Sequence, residues 1–185
     1  MACSPLRQRL KIETAEIHER LHHHDQFAAT ANGSIDSAAF DDLMDRMGTF
    51  YAALDPIMVA ACRHTGADRA GYFYRPRAPL FPRALQCAPR FARIDNLASL
   101  AGAAYVVDGA VLGGQIIGRA IAGRLEHPYW EWCAEVGAMV WRQARGLIEH
   151  ADRDPYASDR AVASAKHMFQ AFADHMSYAA DEVAI

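Results

Sequence analysis

Lys11, His18 and His22 are spaced seven and four residues apart in the segment KIETAEIHERLH. On a helix seven residues make nearly two turns and four slightly more than one, so the three side chains share a face. A neutral imidazole held on a rigid helix is a good single axial ligand for heme iron. A lysine about 10 Å along the same face is placed to meet a propionate at the edge of such a ring as a point charge. Only two lysines, Lys11 and Lys166, occur among the 19 basic residues, so their positions stand out. The ordinary alternative is a surface lysine and a half-buried histidine, since the chain has nine histidines. His22, His23 and His24 are consecutive and point three ways on a helix, so the run reads as a solvated helix end that suits the dipole there.

A second group of residues sits in AGAAYVVDGAVLGGQIIGRAIAG, from Ala101 to Gly123. Its apolar residues recur at helical spacing, yet Gly109, Gly113, Gly114 and Gly118 fall inside it. At roughly 1 kcal/mol each against alanine, those four glycines cost about 4 kcal/mol of helix stability. Two things could offset this. One is close helix packing at a Gly109/Gly113 notch. The other is direct approach of the backbone to a flat ligand, with a bend at the glycine pair.

The elements that must carry these residues are helical. Ser4 and Pro5 are an N-cap and first-turn pair, and Leu6, Leu10, Thr14, Ile17 and Leu21 form a stripe, which predicts one helix from about Pro5 to His24. Thr30 to Ser34 reads as a turn. Asp36 or Ser37 opens a helix that ends before Gly66, with Pro56 a point where it could kink. Residues 66–89 hold four prolines and read as irregular chain with a short helix near Ala84. A long apolar helix follows from Asp95 or Asn96 to about Arg124. The next covers Tyr129 to His150, and the last starts at Ser158 or Asp159 and ends near Ala180. Period-two alternation and internal repeats are missing, so the expectation is one all-α domain over residues 1–185.

Composition narrows the function classes. A net charge of −3 gives no support to nucleic acid or an anionic membrane as partner. There is no signal-peptide pattern and no run of 18 apolar residues, and the four cysteines show no CxxC spacing, so a reduced cytoplasmic protein without zinc or disulfides is expected. No nucleotide or flavin fingerprint is present.

With both groups of residues in view, the chain resembles the heme oxygenase family, in its bacterial biliverdin-producing form. LKIETAEIH, Leu10 to His18, is similar to that family's proximal-helix pattern, and YVVDGAVLGGQ, Tyr105 to Gln115, to its bacterial distal helix. The motifs lie about 90 residues apart, as in the family, and KHMFQAFADHM resembles its last helix. The resemblance implies a single-domain multi-helix heme-oxygenase-like fold. Heme b would be both substrate and cofactor, with His18 ligating its iron and Lys11 on a propionate. Gly109 and Gly113 would lie over the distal face and Gly114 at the bend, with Tyr105, Ala110 and Phe172 also at the heme. It further implies molecular oxygen as co-substrate, electrons from a separate reductase or ferredoxin, and biliverdin, carbon monoxide and iron as products; a biliverdin-using photoreceptor is a candidate downstream partner. The chain departs from the family at three places. Animal members carry aspartate where Ala110 stands, many members carry glutamate where His22 stands, and animal members offer a tyrosine and basic residues to the propionates where Phe172 and Ala173 stand. The alternative function is a heme-binding protein of the same fold that stores, senses or shuttles heme. A third reading is a thiaminase-like helical enzyme with Cys133 as nucleophile beside a carboxylate.

Overall fold

The computed structural model describes residues 4–83 and 89–177, whose regular structure is helical with no strand among them. The helices are α1 (Pro5–Glu13), α2 (Ala15–His22), α3 (Asp25–Ala31), α4 (Ser37–Thr65), α5 (Leu97–Ile121), α6 (Pro128–Ala151) and α7 (Ala157–Ser177). They form the single multi-helix all-α domain that the periodicity predicts. The short helix expected near Ala84 and the end of the last helix near Ala180 lie outside the described residues.

Local chemistry sets most boundaries. The side chains of Ser4, Asp36 and Asn96 each accept a hydrogen bond from a first-turn N–H, at α1, α4 and α5. Gly66, at φ +67°, takes the left-handed conformation that ends α4. Helix α4 continues through Pro56 as one element.

The first expected helix is two. Thr14 is buried, its hydroxyl donates to the Leu10 carbonyl at 2.7 Å, and its backbone at φ −109°, ψ 2° leaves helical geometry. Such a back-bond competes with the helix ladder and bends the chain. α2 then stops at His22, and His24, in extended geometry, opens α3, a helix that the pattern did not disclose. Its seven residues are too few to show a hydrophobic period.

Helix α5 is the one described helix long and apolar enough to cross a membrane, and it packs chiefly against α6 and α7. Three of its glycines serve that packing. A Cβ on Gly102 would lie 2.0 Å from the Ala161 carbonyl oxygen of α7. On Gly114 it would lie 2.7 Å from Cys133 Sγ, and on Gly118 3.2 Å from Trp130 Cβ, both on α6. The glycines therefore let the three helices approach more closely than any side chain allows.

Between α4 and α5 the chain forms a strap, residues 66–83, with 3-10 turns at Ala67–Ala70 and Ala78–Leu80. Two buried carboxylates hold it. Asp55 of α4 accepts from the backbone N–H of Arg77 and of Ala78, each at 2.7 Å, and from the Tyr74 hydroxyl at 2.6 Å. Asp108 of α5 pairs with the Arg77 guanidinium and accepts from the Tyr72 hydroxyl at 2.8 Å. Arg77 is 0% exposed. Its Nε and Nη1 have no hydrogen-bond partner among the described residues and lie among rings instead, with the guanidinium 5.0 Å from the Tyr74 centroid, 5.2 Å from Trp132 and 5.5 Å from Tyr51.

Candidate functional site

α2, α3, α4, α5, α6 and α7 enclose a cavity of about 400 Å³, within the range of small-molecule sites. Most of its wall is apolar. Phe27, Phe50, Phe169 and Phe172 contribute rings, with Phe50 and Phe172 in edge contact at 4.9 Å. Leu112, Ile116 and Ile117 of α5 also line it, and Ile116, at 66% exposed, marks where it opens to solvent.

The structure brings most of the expected site residues to this cavity. His18, Tyr105, Gly109, Ala110, Gly113, Gly114 and Phe172 all line it. His18 comes from α2 and the glycines from α5, so the two motifs, far apart in sequence, meet across one space. Lys11 is not among the lining residues; it is an exposed side chain of α1, beyond the Thr14 bend. Lys166 of α7 also stays outside and pairs with Glu13 at 2.6 Å, joining α7 to α1.

His18 is half surrounded although its surface is open. Its ring stands edge-on to Phe169, with centroids 5.9 Å apart, and to His22, 4.5 Å apart. Partial burial, and secondarily the neighbouring His22, hold its pKa below the usual imidazole value. At neutral pH it is therefore a neutral imidazole, the form that ligates a metal.

The glycines separate by what a side chain on each would meet. At Gly113 a Cβ would find nothing within 4 Å, and at Gly109 only Trp141 Cζ3 at an ordinary 3.5 Å. These two positions present bare backbone to the cavity. Gly114 touches the cavity too, but its missing side chain makes room for Cys133.

Several lining residues carried no signal in the sequence: Met47, Phe50 and Tyr51 of α4, and Tyr129, Trp130 and Trp141 of α6. Each lies on an ordinary hydrophobic stripe that also faces the core, and only the packing decides which part of a stripe meets a cavity. Tyr51 and Tyr129 place hydroxyls 3.0 Å apart in the wall. Burial pushes Tyr51 up to about 12, so it remains a neutral phenol. No carboxylate lines the cavity among the described residues. Asp108, one position before Gly109, is turned toward Arg77 and Tyr72 instead.

Cys133 is a poor nucleophile here. It is fully buried against α5, and burial pushes its thiol up to about 12. Glu131 of the same helix is exposed. This environment does not favour the thiaminase-like reading.

Comparison of the chain with protein-family models, with curated proteins and with solved structures finds no match.

Proposed function

We propose that this protein binds heme between α2 and α5 and opens it oxidatively to biliverdin, carbon monoxide and ferrous iron. One observation carries the reading: an apolar, aromatic-lined cavity has a neutral imidazole, His18, on one wall and the side-chain-free backbone of Gly109 and Gly113 on another. Porphyrin fits that donor set. His18 would hold the iron, and the phenylalanine rings suit a flat apolar macrocycle. The open space at Gly113 would leave room for the ligand that a larger residue would fill.

When bound, heme supplies the redox chemistry and is itself the substrate. The chain's residues do the rest. Phe169 and His22 restrict how the His18 ring can turn. Phe27, Phe50 and Phe172 would exclude water from a macrocycle bound in the cavity. The Tyr51 and Tyr129 hydroxyls are hydrogen-bonding groups in a wall that has no carboxylate among the described residues. Protons must reach the cavity from these hydroxyls or from solvent at its mouth. Electrons come from a separate reductase or ferredoxin in this reading, and molecular oxygen is the co-substrate.

The acid-free wall also favours a second reading, a protein that holds heme without opening it. The two differ in one experiment. Hemin is added to the purified protein and the spectrum followed after ascorbate or a ferredoxin system is supplied. Loss of the Soret band with growth of a biliverdin band supports the enzyme; a persistent Soret band supports the binder. His18→Ala should abolish normal ligation in either case. An unchanged Soret maximum and axial-ligand signature in His18→Ala, and in His18→Ala with His22→Ala, would remove His18 from the site.

A further inference from the structure

His18, His22, His23 and His24, on and just after α2, are not equivalent. His23 is paired with Glu19 at 3.2 Å, and His24 Nε2 lies 3.3 Å from the Met176 carbonyl oxygen while its ring packs edge-on to Phe27. His18 and His22 alone among the four line the cavity, and neither imidazole has a hydrogen-bond partner among the described residues. They sit at i and i+4 on one helix face with ring centroids 4.5 Å apart and planes at 75°. Two imidazoles that ligate one tetrahedral ion at about 2.0–2.1 Å place their nitrogens roughly 3–3.5 Å apart, and the 4.5 Å between these ring centroids puts the two rings within that order of separation. Both rings are exposed, so solvent can complete the coordination shell.

We infer that His18 and His22 form a chelating site for a divalent transition-metal ion of borderline softness, such as Zn²⁺ or Fe²⁺, distinct in ligand set from a heme site that uses His18 alone. The segment HERLH also matches the spacing of zinc-peptidase helices, but the structure does not support hydrolysis. Glu19 is turned to His23, and no third His, Cys, Asp or Glu completes a metal cluster among the described residues. The site is a two-imidazole perch with water as the remaining ligands. Resting on the heme-opening reading above, its cargo is the ferrous ion freed beside His18: loss of the porphyrin leaves the ion with one protein ligand, and His22 is the next donor within reach.

The test is calorimetric titration of the porphyrin-free protein with Zn²⁺ and, anaerobically, with Fe²⁺. One ion should bind per chain. His18→Ala and His22→Ala should each weaken binding at least about tenfold, since even outer partners of a metal ligand are worth 10–100-fold in affinity. His23→Ala and His24→Ala should leave it unchanged. Equal affinity in wild type and His22→Ala, or loss of binding in His23→Ala, overturns the site. Zn²⁺ bound through His18 and His22 with no Fe²⁺ binding leaves the site standing and overturns the ferrous cargo. Hemin titration of the same wild-type protein separates the two ideas: failure to bind hemin removes the heme reading while the Zn²⁺ result still decides the pair. Hemin should also displace Zn²⁺, because both need His18, and simultaneous full occupancy by both would contradict the assignment.

Discussion

The glycines of α5 look alike in the sequence and differ sharply in what surrounds them. Gly113 faces open space, whereas a Cβ on Gly114 would lie 2.7 Å from Cys133 Sγ. Substitution should therefore split the pair. Gly113→Ala should leave the porphyrin-free protein as stable or more stable by up to about 1 kcal/mol, the helix propensity of alanine over glycine. Gly113→Leu should keep the fold and lose hemin binding or turnover. Gly114→Ala should cost about 1–3 kcal/mol through overpacking against a buried sulfur. Thermal midpoints of the three variants without porphyrin, followed by hemin titration, check this. A strongly destabilised Gly113→Leu with normal turnover per bound heme would show Gly113 to be a packing residue.

At the scale of elements, the strap and α5 are joined by one buried ion pair. Asp108 is 2% exposed; burial pushes its carboxyl up, and Arg77 and the Tyr72 hydroxyl oppose that shift. Removing one partner leaves the other charge buried and unpaired, which typically costs about 3–5 kcal/mol. Asp108→Ala and Arg77→Ala should each show a loss of that order in urea unfolding, and the double variant much less than their sum. Additive losses would mean that the two side chains act independently. The same pair bears on the site, because Asp108 immediately precedes Gly109 and anchors the face of α5 opposite the cavity. A Tyr72→Phe change removes one hydrogen bond to the carboxylate and leaves the ion pair, so it should cost about 1.5–3 kcal/mol, less than the loss of either charge.

For the molecule as a whole, three histidines on different elements carry the same signature. Burial lowers the pKa of His18 on α2, His127 before α6 and His175 on α7. In the unfolded chain each titrates near about 6.5. Below that value the unfolded state binds protons more readily, so stability present above about pH 6.5 is lost as pH falls through the lowered folded values. The thermal midpoint of the porphyrin-free protein should therefore drop between about pH 7 and pH 5. His127 has a specific part in this. Its Nδ1 accepts from the Tyr129 N–H and so caps α6, and protonation would remove that acceptor, although Asp45 and Asp41 partly favour the charged ring. His127→Asn keeps a capping oxygen and does not titrate. It should show a smaller drop than wild type over the same range, measured by calorimetry in matched buffers.

Helix type and most helix ends were legible in the residues themselves. Caps act over three or four positions, as at Ser4, Asp36 and Asn96, and apolar periodicity reports which face is buried. The spacing of Lys11, His18 and His22, and the glycines of one long helix, were equally readable as chemistry without a place. Tertiary structure decided where each one went. Thr14, an unremarkable member of a stripe, bends the helix, and Lys11 remains outside the cavity that His18 lines. Gly113 opens onto that cavity while Gly114 closes on a cysteine. Arg77, in a proline-rich stretch that reads as irregular chain, is buried against Asp108. Periodicity records only the inward side of each helix. A cavity is the part of that inward side which the neighbouring helices leave unfilled, and their distances of approach depend on side chains distant in the chain.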